Sequence, residues 1–343
     1  MFRTETVVIF NTTFRNCSGS SGGAISAVLC GNITIKKSQI VENNAGYVGE
    51  QGFGGGAINL MDCQMIFEET TFQRNTGLLG GAVYLQNGSA AFKNCYAVDN
   101  FATAQGGFLY GHPEGMKNVV IQDSALTQTI TGFKNFGLLH KEASFIHGSS
   151  IEELKIFNTT MESTPYDSNG PLLLVTNVTV MDFGKDNSTI LKCPVGNEME
   201  ILSFTTSNYH TAKSTFAWQF SCSACTGNSY SLQRGRAVGS YVVPGFQCLP
   251  CPFGANCSQN IVANPNFWGF KETIAPPTLK FTTCPVGYCS PPNKTEFPKY
   301  NGCQGNRSDK LCGHCSDAYS GTLYSAACRP SNECNDYWFG LWP

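Results

Sequence analysis

Paired cysteines are the residues of this sequence that could do chemistry most directly. Cys222 and Cys225 form one Cys-x-x-Cys pair, and Cys248 and Cys251 form a second, with 22 residues between the pairs. Four thiolates at this spacing can hold zinc tetrahedrally, whereas in an oxidising compartment the same residues form disulfides. An Asn-x-Ser sequon at Asn256 lies against the next cysteine, and the Pro-Cys-Pro context suits extended disulfide ribbons. We therefore favour disulfides and keep zinc as the alternative.

The cysteine count supports a disulfide scaffold in the second half of the chain. Of 17 cysteines in 343 residues, four lie in the first 190 residues and thirteen between Cys193 and Cys334. A density of about 9% is typical of disulfide-rich secreted modules, and no thioredoxin-like βαβ setting is visible for a redox role. Because thirteen is odd, one cysteine is free, pairs elsewhere or lacks its partner. The cysteines predicted to form disulfides here are Cys222, Cys225, Cys248, Cys251, Cys257, Cys284, Cys289, Cys303, Cys312, Cys315, Cys328 and Cys334.

Ten Asn-x-Ser/Thr sequons point to the same cellular route as the cysteines. Both features indicate an oxidising, secretory route, and hence an extracellular or cell-surface glycoprotein. The predicted glycosylation sites are Asn11, Asn16, Asn32, Asn87, Asn158, Asn177, Asn187, Asn256, Asn293 and Asn306.

Carboxylates for polysaccharide cleavage do not converge in the sequence. A glycoside hydrolase needs two carboxyl groups on opposite sides of the scissile bond. The aspartates of the first 190 residues fall at scattered positions and never as Asp-Asp: Asp62, Asp99, Asp123, Asp167, Asp182 and Asp186. We predict a non-catalytic protein without catalytic residues, metal or cofactor, and keep a polysaccharide lyase or hydrolase as the alternative function.

Histidines and glycines give no stronger catalytic signal. We interpret Gly111-His112-Pro113 as a turn, and His140 and His147 as a surface pair rather than metal ligands. The run Gly52-Phe-Gly-Gly-Gly-Ala57 partly resembles a phosphate loop. No strand followed by a helix surrounds it, so we expect a tight corner.

A five-position phrase repeats along the first half of the chain. Met65, Phe67, Thr70, Phe72 and Asn75 occupy offsets 0, 2, 5, 7 and 10. A repeat of 20 to 50 residues indicates a stacked architecture. The six copies begin at Val7, Ile33, Met65, Ala90, Val119 and Leu154, and glycine pairs lie between them at Gly22-Gly23, Gly55-Gly56, Gly80-Gly81 and Gly106-Gly107.

The offsets predict short strands rather than a helix. Offsets 0 and 2, then 5 and 7, are two period-2 strands with one extra residue that turns a corner. The glycine pairs open a third strand, and Asn at offset 10 suits left-handed turn geometry and an asparagine ladder. We predict an all-β chain: a right-handed parallel β-helix of about six coils over residues 1–190, then a disulfide-rich, turn-rich region over residues 191–343. An antiparallel sandwich is the alternative.

Two cysteines precede offset 0 in consecutive coils. Equivalent Cα atoms of stacked coils lie about 5 Å apart, which is close to disulfide spacing. We therefore predict a Cys30–Cys63 disulfide. Cys95 takes an inward offset where other copies have Ser or Thr, so we predict a buried thiol.

The charge excludes nucleic acid as a partner. Charged residues make up only 13% of the chain, the net charge is −2 and no basic run is present. The N-terminal MFRTETVVIF lacks a signal-peptide core, and the first coil begins at Val7. We expect a fragment that lacks the first coils. The Tyr- and Trp-rich C-terminal residues are typical of a membrane interface, although no apolar stretch here is long enough to span a membrane. We expect either a parent protein anchored by a membrane segment beyond Pro343 or aromatics that pack on the last disulfide module.

Two family resemblances follow from these motifs. The Gly-Gly-Ala-Ile/Val phrases and Phe72-Gln-Arg-Asn75 resemble the repeats of chlamydial polymorphic outer membrane proteins, which carry pectin-lyase-like β-helices. Cys193-Pro-Val-Gly196, the segment Cys222–Ser231 and the segment Cys248–Cys257 resemble ephrin-receptor-like, EGF-like cysteine-rich modules. Together they resemble large surface proteins, which implies extracellular display and adhesion.

An unidentified extracellular glycan or protein is therefore the expected partner. The β-helix would be a rigid adhesive spacer on a disulfide-rich stalk. Tyr47, Tyr84 and Tyr110, near the glycine corners, are candidate contact residues, with ordinary edge packing as the alternative.

Overall fold

The computed structural model is almost entirely β, with a parallel β-helix of about five turns. It describes residues 6–46, 54–128, 145–163, 171–184, 188–207, 214–244, 247–257, 261–272, 277–289, 300–322 and 325–333. Within these ranges there is no α-helix, and about 60% of the chain is strand. No helix in the described part is long and apolar enough to cross a membrane.

Sixteen short strands form the first four coils. They are β1 (Thr6–Phe10), β2 (Thr13–Arg15), β3 (Ser18–Gly19), β4 (Ile25–Val28), β5 (Asn32–Lys36), β6 (Gln39–Val41), β7 (Asn44–Ala45), β8 (Ile58–Met61), β9 (Gln64–Glu68), β10 (Thr71–Gln73), β11 (Thr76–Leu79), β12 (Val83–Gln86), β13 (Ser89–Lys93), β14 (Tyr96–Val98), β15 (Phe101–Gln105) and β16 (Leu109–Gly111).

The next strands complete the stack and close its C-terminal end. They are β17 (Met116–Gln122), β18 (Ala125–Gln128), β19 (Ile146–Ser149), β20 (Ile151–Phe157), β21 (Thr160–Ser163), β22 (Pro171–Val178), β23 (Val180–Asp182), β24 (Ile190–Val195), β25 (Asn197–Ser207), β26 (Ser214–Ala224), β27 (Ser229–Tyr230), β28 (Arg234–Val238) and β29 (Tyr241–Val242).

Four sheets run along the stack. The first sheet has the order β1-β5-β9-β13-β17-β20-β23, and the second β2-β6-β10-β14-β18-β21-β24-β28-β29. The third is β15-β11-β7-β3, and the fourth β25-β26-β22-β19-β16-β12-β8-β4. The sequence predicted three strands per coil, and the structure adds a fourth in the first four coils. The two-residue strands β3 and β7 are too short to leave a periodic signal.

The predicted register is confirmed along the first two sheets. Offset 0 pairs Ile33 with Met65, and Met65 with Ala90, in parallel strands. At offset 7, Phe72 pairs with both Ile40 and Ala97. The antiparallel sandwich is therefore excluded. A further member of the stack, which the repeat had not included, pairs Leu191 with Met161.

Inward side chains form a dense column of aromatic rings. Phe67 stacks on Phe92 with ring centroids 4.9 Å apart, and Phe72 meets Phe67 edge to face at 5.0 Å. Phe108 packs against both Phe72 and Phe92. All four are at most 1% exposed. Because each ring depends on the coil above or below for its burial, the stack is stable only as a unit.

The coils turn at single residues in the left-handed region. The extra residue at offset 4 has a φ near +50° in every described copy, which confirms the predicted corner. These residues are Asn11, Lys37, Glu69, Asn94, Asp123 and Asn158. At the next corner the left-handed conformation was predicted for the Asn at offset 10, which was wrong by one position. The residue at offset 9 adopts it instead, and the Asn at offset 10 points inward. The residues at offset 9 are Asn16, Glu42, Arg74 and Asp99.

The inward asparagines form the predicted ladder. Asn43 Nδ2 donates to Asn75 Oδ1 at 2.9 Å, and Asn75 Nδ2 donates to Asn100 Oδ1 at 2.8 Å. Each amide also donates to a backbone carbonyl, as Asn75 does to Ile40 at 2.8 Å. The ladder therefore satisfies backbone groups that would be orphaned at a buried turn.

The second glycine of each pair lies where coils approach most closely. A Cβ on Gly56 would stand 2.1 Å from the carbonyl oxygen of Gly81, and one on Gly81 would stand 2.2 Å from that of Gly107. No side chain fits at such distances. This confirms that Gly52–Ala57 ends in a tight corner, as far as the described residues from Gly54 show.

Antiparallel strands close the C-terminal end of the helix. The hairpin β25–β26 pairs with β22, and β28 pairs with β24, so neither sheet ends there in an open parallel edge. A disulfide between Cys193 and Cys222, with Cα atoms 5.5 Å apart, ties this region together. The first compact unit comprises residues 1–224 and 233–247.

The second unit comprises residues 225–232 and 248–343 and consists of short antiparallel pairs. A small core surrounds Tyr230, whose hydroxyl accepts a hydrogen bond from the Leu279 backbone at 2.9 Å. Besides β27 its strands are β30 (Leu249–Pro250), β31 (Ala255–Asn256), β32 (Val262–Ala263), β33 (Phe267–Glu272), β34 (Thr278–Thr283), β35 (Arg307–Ser308), β36 (His314–Cys315), β37 (Tyr319–Ser320) and β38 (Arg329–Pro330), with 3₁₀ turns at Lys310–Cys312 and Ser331–Glu333.

Candidate functional site

The outward face of the second sheet carries a continuous row of side chains. In each repeat the row takes offset 6, which points away from the core between the buried offsets 5 and 7. Paired strands place these residues side by side in the order Thr13, Gln39, Thr71, Tyr96, Ala125, Thr160, Ile190, Val238 and Tyr241. We call this set the offset-6 row.

The offset-6 row contains two exposed tyrosines, Tyr96 within it and Tyr241 at its end. Tyr96 is 47% exposed and Tyr241 is 73% exposed. Five strand-to-strand steps separate them, which corresponds to about 24 Å along the stack. The residues between and beside them offer hydroxyl, amide and small apolar groups. Sequence reasoning missed this row, although its outward offset is readable from the repeat once the inward offsets are assigned.

The offset-6 row has no charged side chain of its own, and the two carboxylates beside it are held in ion pairs. Glu42 accepts from Arg15 at 3.1 Å and lies 2.5 Å from Arg74. Glu162 pairs with Arg234 and lies 3.9 Å from Lys192. Each carboxylate is thus flanked by two basic groups, so the face is neutral to weakly basic.

The tyrosines expected to contact a ligand lie elsewhere and are covered. Tyr84 is 2% exposed and Tyr110 is 6% exposed, and their rings stack with centroids 5.6 Å apart. The stack continues onto His147 at 5.5 Å. Burial, with smaller contributions from Tyr110 and Glu114, raises the pKa of Tyr84 to about 12, and burial raises the pKa of Tyr110. Tyr84 and Tyr110 are packing residues, as the edge-packing alternative expected; Tyr47 lies outside the described residues.

The described aspartates remain dispersed. Asp62, Asp99 and Asp123 occupy three different corners of the coil, and Asp182 lies on β23. Asp62 and Asp123 each accept a hydrogen bond from an asparagine of the following coil, Asn87 and Asn158. Asp167 and Asp186 are outside the described residues. The described part of the chain therefore presents no facing pair of aspartates for glycosidic cleavage.

The histidines stay apart from carboxylate clusters. His112 lies at the turn predicted for it, with Nδ1 3.8 Å from Glu114 Oε2. His147 stacks on Tyr110, while His140 lies outside the described residues, so the predicted surface pair stays untested.

All eight sequon asparagines in the described ranges are exposed. Asn187 and Asn293 fall outside those ranges. Six of the eight, at Asn11, Asn16, Asn87, Asn158, Asn177 and Asn306, have a positive φ at tight corners. Their side chains are therefore open to solvent, and glycosylation stays a prediction.

A small polar cavity lies beside the Cys30–Cys63 disulfide. Its volume is about 200 Å³, and its lining includes Asp62, Lys117 and the sequon asparagines Asn32 and Asn87. Glycans on these asparagines would cover the cavity, which makes the offset-6 row the better candidate for a ligand.

Apart from Cys17 and Cys95, the cysteines of the described chain pair as disulfides. Cys30 and Cys63 are joined with Cα atoms 5.0 Å apart, and Cys95 is a buried free thiol. The two Cys-x-x-Cys pairs do not gather into a zinc site. Cys225 and Cys248 bond to each other, whereas Cys222 and Cys251 bond to cysteines outside the two pairs. The other bonds are Cys193–Cys222, Cys225–Cys248, Cys251–Cys257, Cys284–Cys289, Cys303–Cys312 and Cys315–Cys328.

One cysteine differs from the predicted pattern, and another is untested. Cys193 was not among those assigned to disulfides, and the structure bonds it to Cys222. Cys334 lies outside the described residues.

Comparison with known proteins identifies no relative: no family model, curated protein or solved structure matches the chain.

Proposed function

We propose that this chain is a non-catalytic extracellular binding protein whose β-helix holds an extended glycan along the offset-6 row. The observation that carries the proposal is the spacing of Tyr96 and Tyr241 on one face of the second sheet. Aromatic rings provide apolar platforms for sugar faces, and neighbouring hydroxyl and amide groups pair with sugar hydroxyls.

The scaffold supports this proposal. Parallel strands hold side chains at a fixed repeat, so a linear ligand meets similar contacts at regular intervals without ordering a loop. A separation of about 24 Å requires a polymer rather than a small molecule to reach both tyrosines. The offset-6 row itself carries no charged side chain, which favours a neutral glycan over a polyanion.

Extracellular location rests on the disulfides and the exposed sequons. Seven disulfides are expected in an oxidising compartment, and they favour secretion or surface display. The resemblance to surface proteins with pectin-lyase-like repeats and ephrin-receptor-like modules points the same way. In this proposal the disulfide-rich region serves as the stalk of an adhesive protein.

Binding to a panel of neutral polysaccharides and their short oligomers tests the function. We expect Tyr96→Ala and Tyr241→Ala each to weaken binding of a long polymer by about tenfold, as loss of one buried aromatic contact does. A short oligomer reaches only one tyrosine, so it should lose affinity in one variant only. Phe253→Ala, an exposed aromatic of the second unit, is the matched control and should bind normally.

Glycan binding that survives the removal of both tyrosines would contradict the proposal, as would binding of a protein ligand alone. Release of new reducing ends or unsaturated uronates from acidic polysaccharides, lost in Asp123→Ala and Asp182→Ala, would favour the polysaccharide-acting enzyme instead.

A further inference from the structure

Two disulfides of the second unit lie in direct contact. Cys284 is bonded to Cys289, and Cys303 to Cys312. An isolated antiparallel bridge pairs Cys289 with Cys303, which sets the two bonds side by side. Sγ of Cys289 is 3.3 Å from Sγ of Cys312 although the two atoms are not bonded. This four-cysteine cluster differs from the Cys-x-x-Cys pairs that the sequence singled out.

Three of the four sulfur atoms lie close enough together to share a metal ion, and the fourth belongs to Cys303, the disulfide partner of Cys312. The sulfurs of Cys284, Cys289 and Cys312 are all within 4.8 Å of one another. Tetrahedral zinc with Zn–S bonds of about 2.3 Å places its sulfurs about 3.8 Å apart. Small side-chain rotations would therefore bring four thiolates into a tetrahedron.

The surroundings also suit a buried thiolate centre. Cys312 is fully buried, and Cys289 and Cys284 are 3% and 7% exposed. Arg307 lies over the Tyr288 ring and donates from Nη1 to the Cys312 carbonyl at 3.3 Å. This guanidinium would offset part of the negative charge of four thiolates on a divalent ion.

The loop that carries Cys312 has an unusual backbone. Asp309, Leu311 and Cys312 have φ values of 68°, 55° and 58°, so three non-glycine residues in four adopt the left-handed region. Such conformations are costly for residues other than glycine and persist where surrounding structure over-determines them. Here they direct the Cys312 side chain into the cluster.

We propose that, when reduced, Cys284, Cys289, Cys303 and Cys312 form a tetrahedral site for zinc or a similar thiophilic divalent cation. A dithiol supplies two electrons and two protons to each disulfide and becomes a cyclic disulfide. A phosphine supplies two electrons to each disulfide, and a water molecule supplies the two protons and the oxygen of the resulting phosphine oxide. Either route gives two thiols per disulfide. Binding of the cation then releases the four thiol protons to solvent as the four metal–sulfur bonds form. The inference is independent of the proposed function.

Alkylation of the full chain tests the site without a mutation. The protein is reduced anaerobically with a phosphine, and thiol alkylation is followed by peptide mass spectrometry with and without one equivalent of zinc. We expect zinc to slow alkylation of the four cluster cysteines by at least about tenfold. Cys315 and Cys328, which form a neighbouring disulfide, serve as internal controls and should react at the same rate in both samples.

Cobalt provides a second readout. The reduced chain should bind one cobalt ion per molecule, with the thiolate-to-metal charge-transfer band and intense visible bands of a tetrahedral site. Cys289→Ser combined with Cys312→Ser should abolish these bands, whereas Cys315→Ser combined with Cys328→Ser should keep them. Absence of bound metal, protection spread over all cysteines, or bands that persist without Cys289 and Cys312 would each overturn the proposal.

Discussion

Asn75 donates a hydrogen bond to Asn100 at 2.8 Å in an interior where both side chains are at most 5% exposed. Asn75 also accepts from Asn43 and donates to the Ile40 carbonyl. We expect Asn75→Ala to lower the free energy of unfolding by about 2–4 kcal/mol, because buried donors and acceptors lose their partners. Urea unfolding measures the effect. Asn118→Ala, at an exposed asparagine of β17, is the control, and equal stability of the two variants would contradict the ladder's role.

The aromatic column predicts a second large effect. Phe67 is fully buried between Phe92 and Phe72. Phe67→Ala should destabilise the protein by about 3–5 kcal/mol, since it removes packing from three coils at once. Phe10→Ala, at a side chain that is 60% exposed, should change stability by no more than about 0.5 kcal/mol. Thermal unfolding of both variants measures the difference. Similar melting temperatures would contradict a stabilising role for the aromatic column.

The two free thiols in the described chain should differ in reactivity. Burial raises the pKa of Cys95 to about 11, so at pH 8 this residue is a neutral, covered thiol. Cys17 is partly exposed. We expect a maleimide reagent at pH 8 to modify Cys17 in the native protein and to reach Cys95 only after denaturation. Rapid native labelling of Cys95, detected by peptide mass spectrometry, would place that thiol at the surface.

The Cys30–Cys63 disulfide should stabilise the early coils. It closes a sequence separation of 33 residues. Replacing both cysteines by alanine should lower the free energy of unfolding by about 2–4 kcal/mol, as expected for removal of a cross-link. The double replacement Cys251→Ala with Cys257→Ala, which opens a separation of only 6, is the comparison and should cost less in the chain-entropy account. A larger loss from the short loop would run against the expected order.

Acid should weaken the outer face of the first sheet. The hydrogen bond from Lys36, with Nζ 2.8 Å from the carboxylate, lowers the pKa of Glu68 below its ordinary value of 4.5. A lowered folded-state pKa gives stability that is present above 4.5 and is lost as the pH falls through the folded-state value. The contribution is small, under about 1 kcal/mol, because both groups are partly in solvent. Glu68→Gln should flatten the acid limb of the stability–pH curve, and an unchanged acid limb would remove this pair as a cause.

Much of the β-helix could be predicted because its residues repeat. Val, Ile, Leu and Phe at fixed offsets identify the buried columns, and one extra residue per pair of strands identifies a corner. The offset of Cys30 and Cys63 sufficed to expect their pairing, and the inward offset of Cys95 sufficed to expect its burial. These features depend on neighbours at a constant distance along the stack, so sequence spacing determines them.

Features without a repeat were not predicted. The strands β25, β26 and β28 occur once, and their antiparallel pairing on the last coils depends on edges that only the folded stack presents. The Cys193–Cys222 bond follows from that pairing. For Tyr84 and Tyr110 the sequence left ligand contact and edge packing as alternatives. Neighbouring coils stack their rings together, which spacing alone does not show.

The sequence by itself determined the period, the inward columns and the disulfide-rich character, because a coil can bury its apolar side chains only against another coil of the same pattern. The tertiary structure decided which tyrosines face solvent, how the C-terminal edges are closed and which cysteines meet. Those properties depend on contacts between residues far apart in sequence, whose distances are set only when the coils and the cross-linked segments have packed.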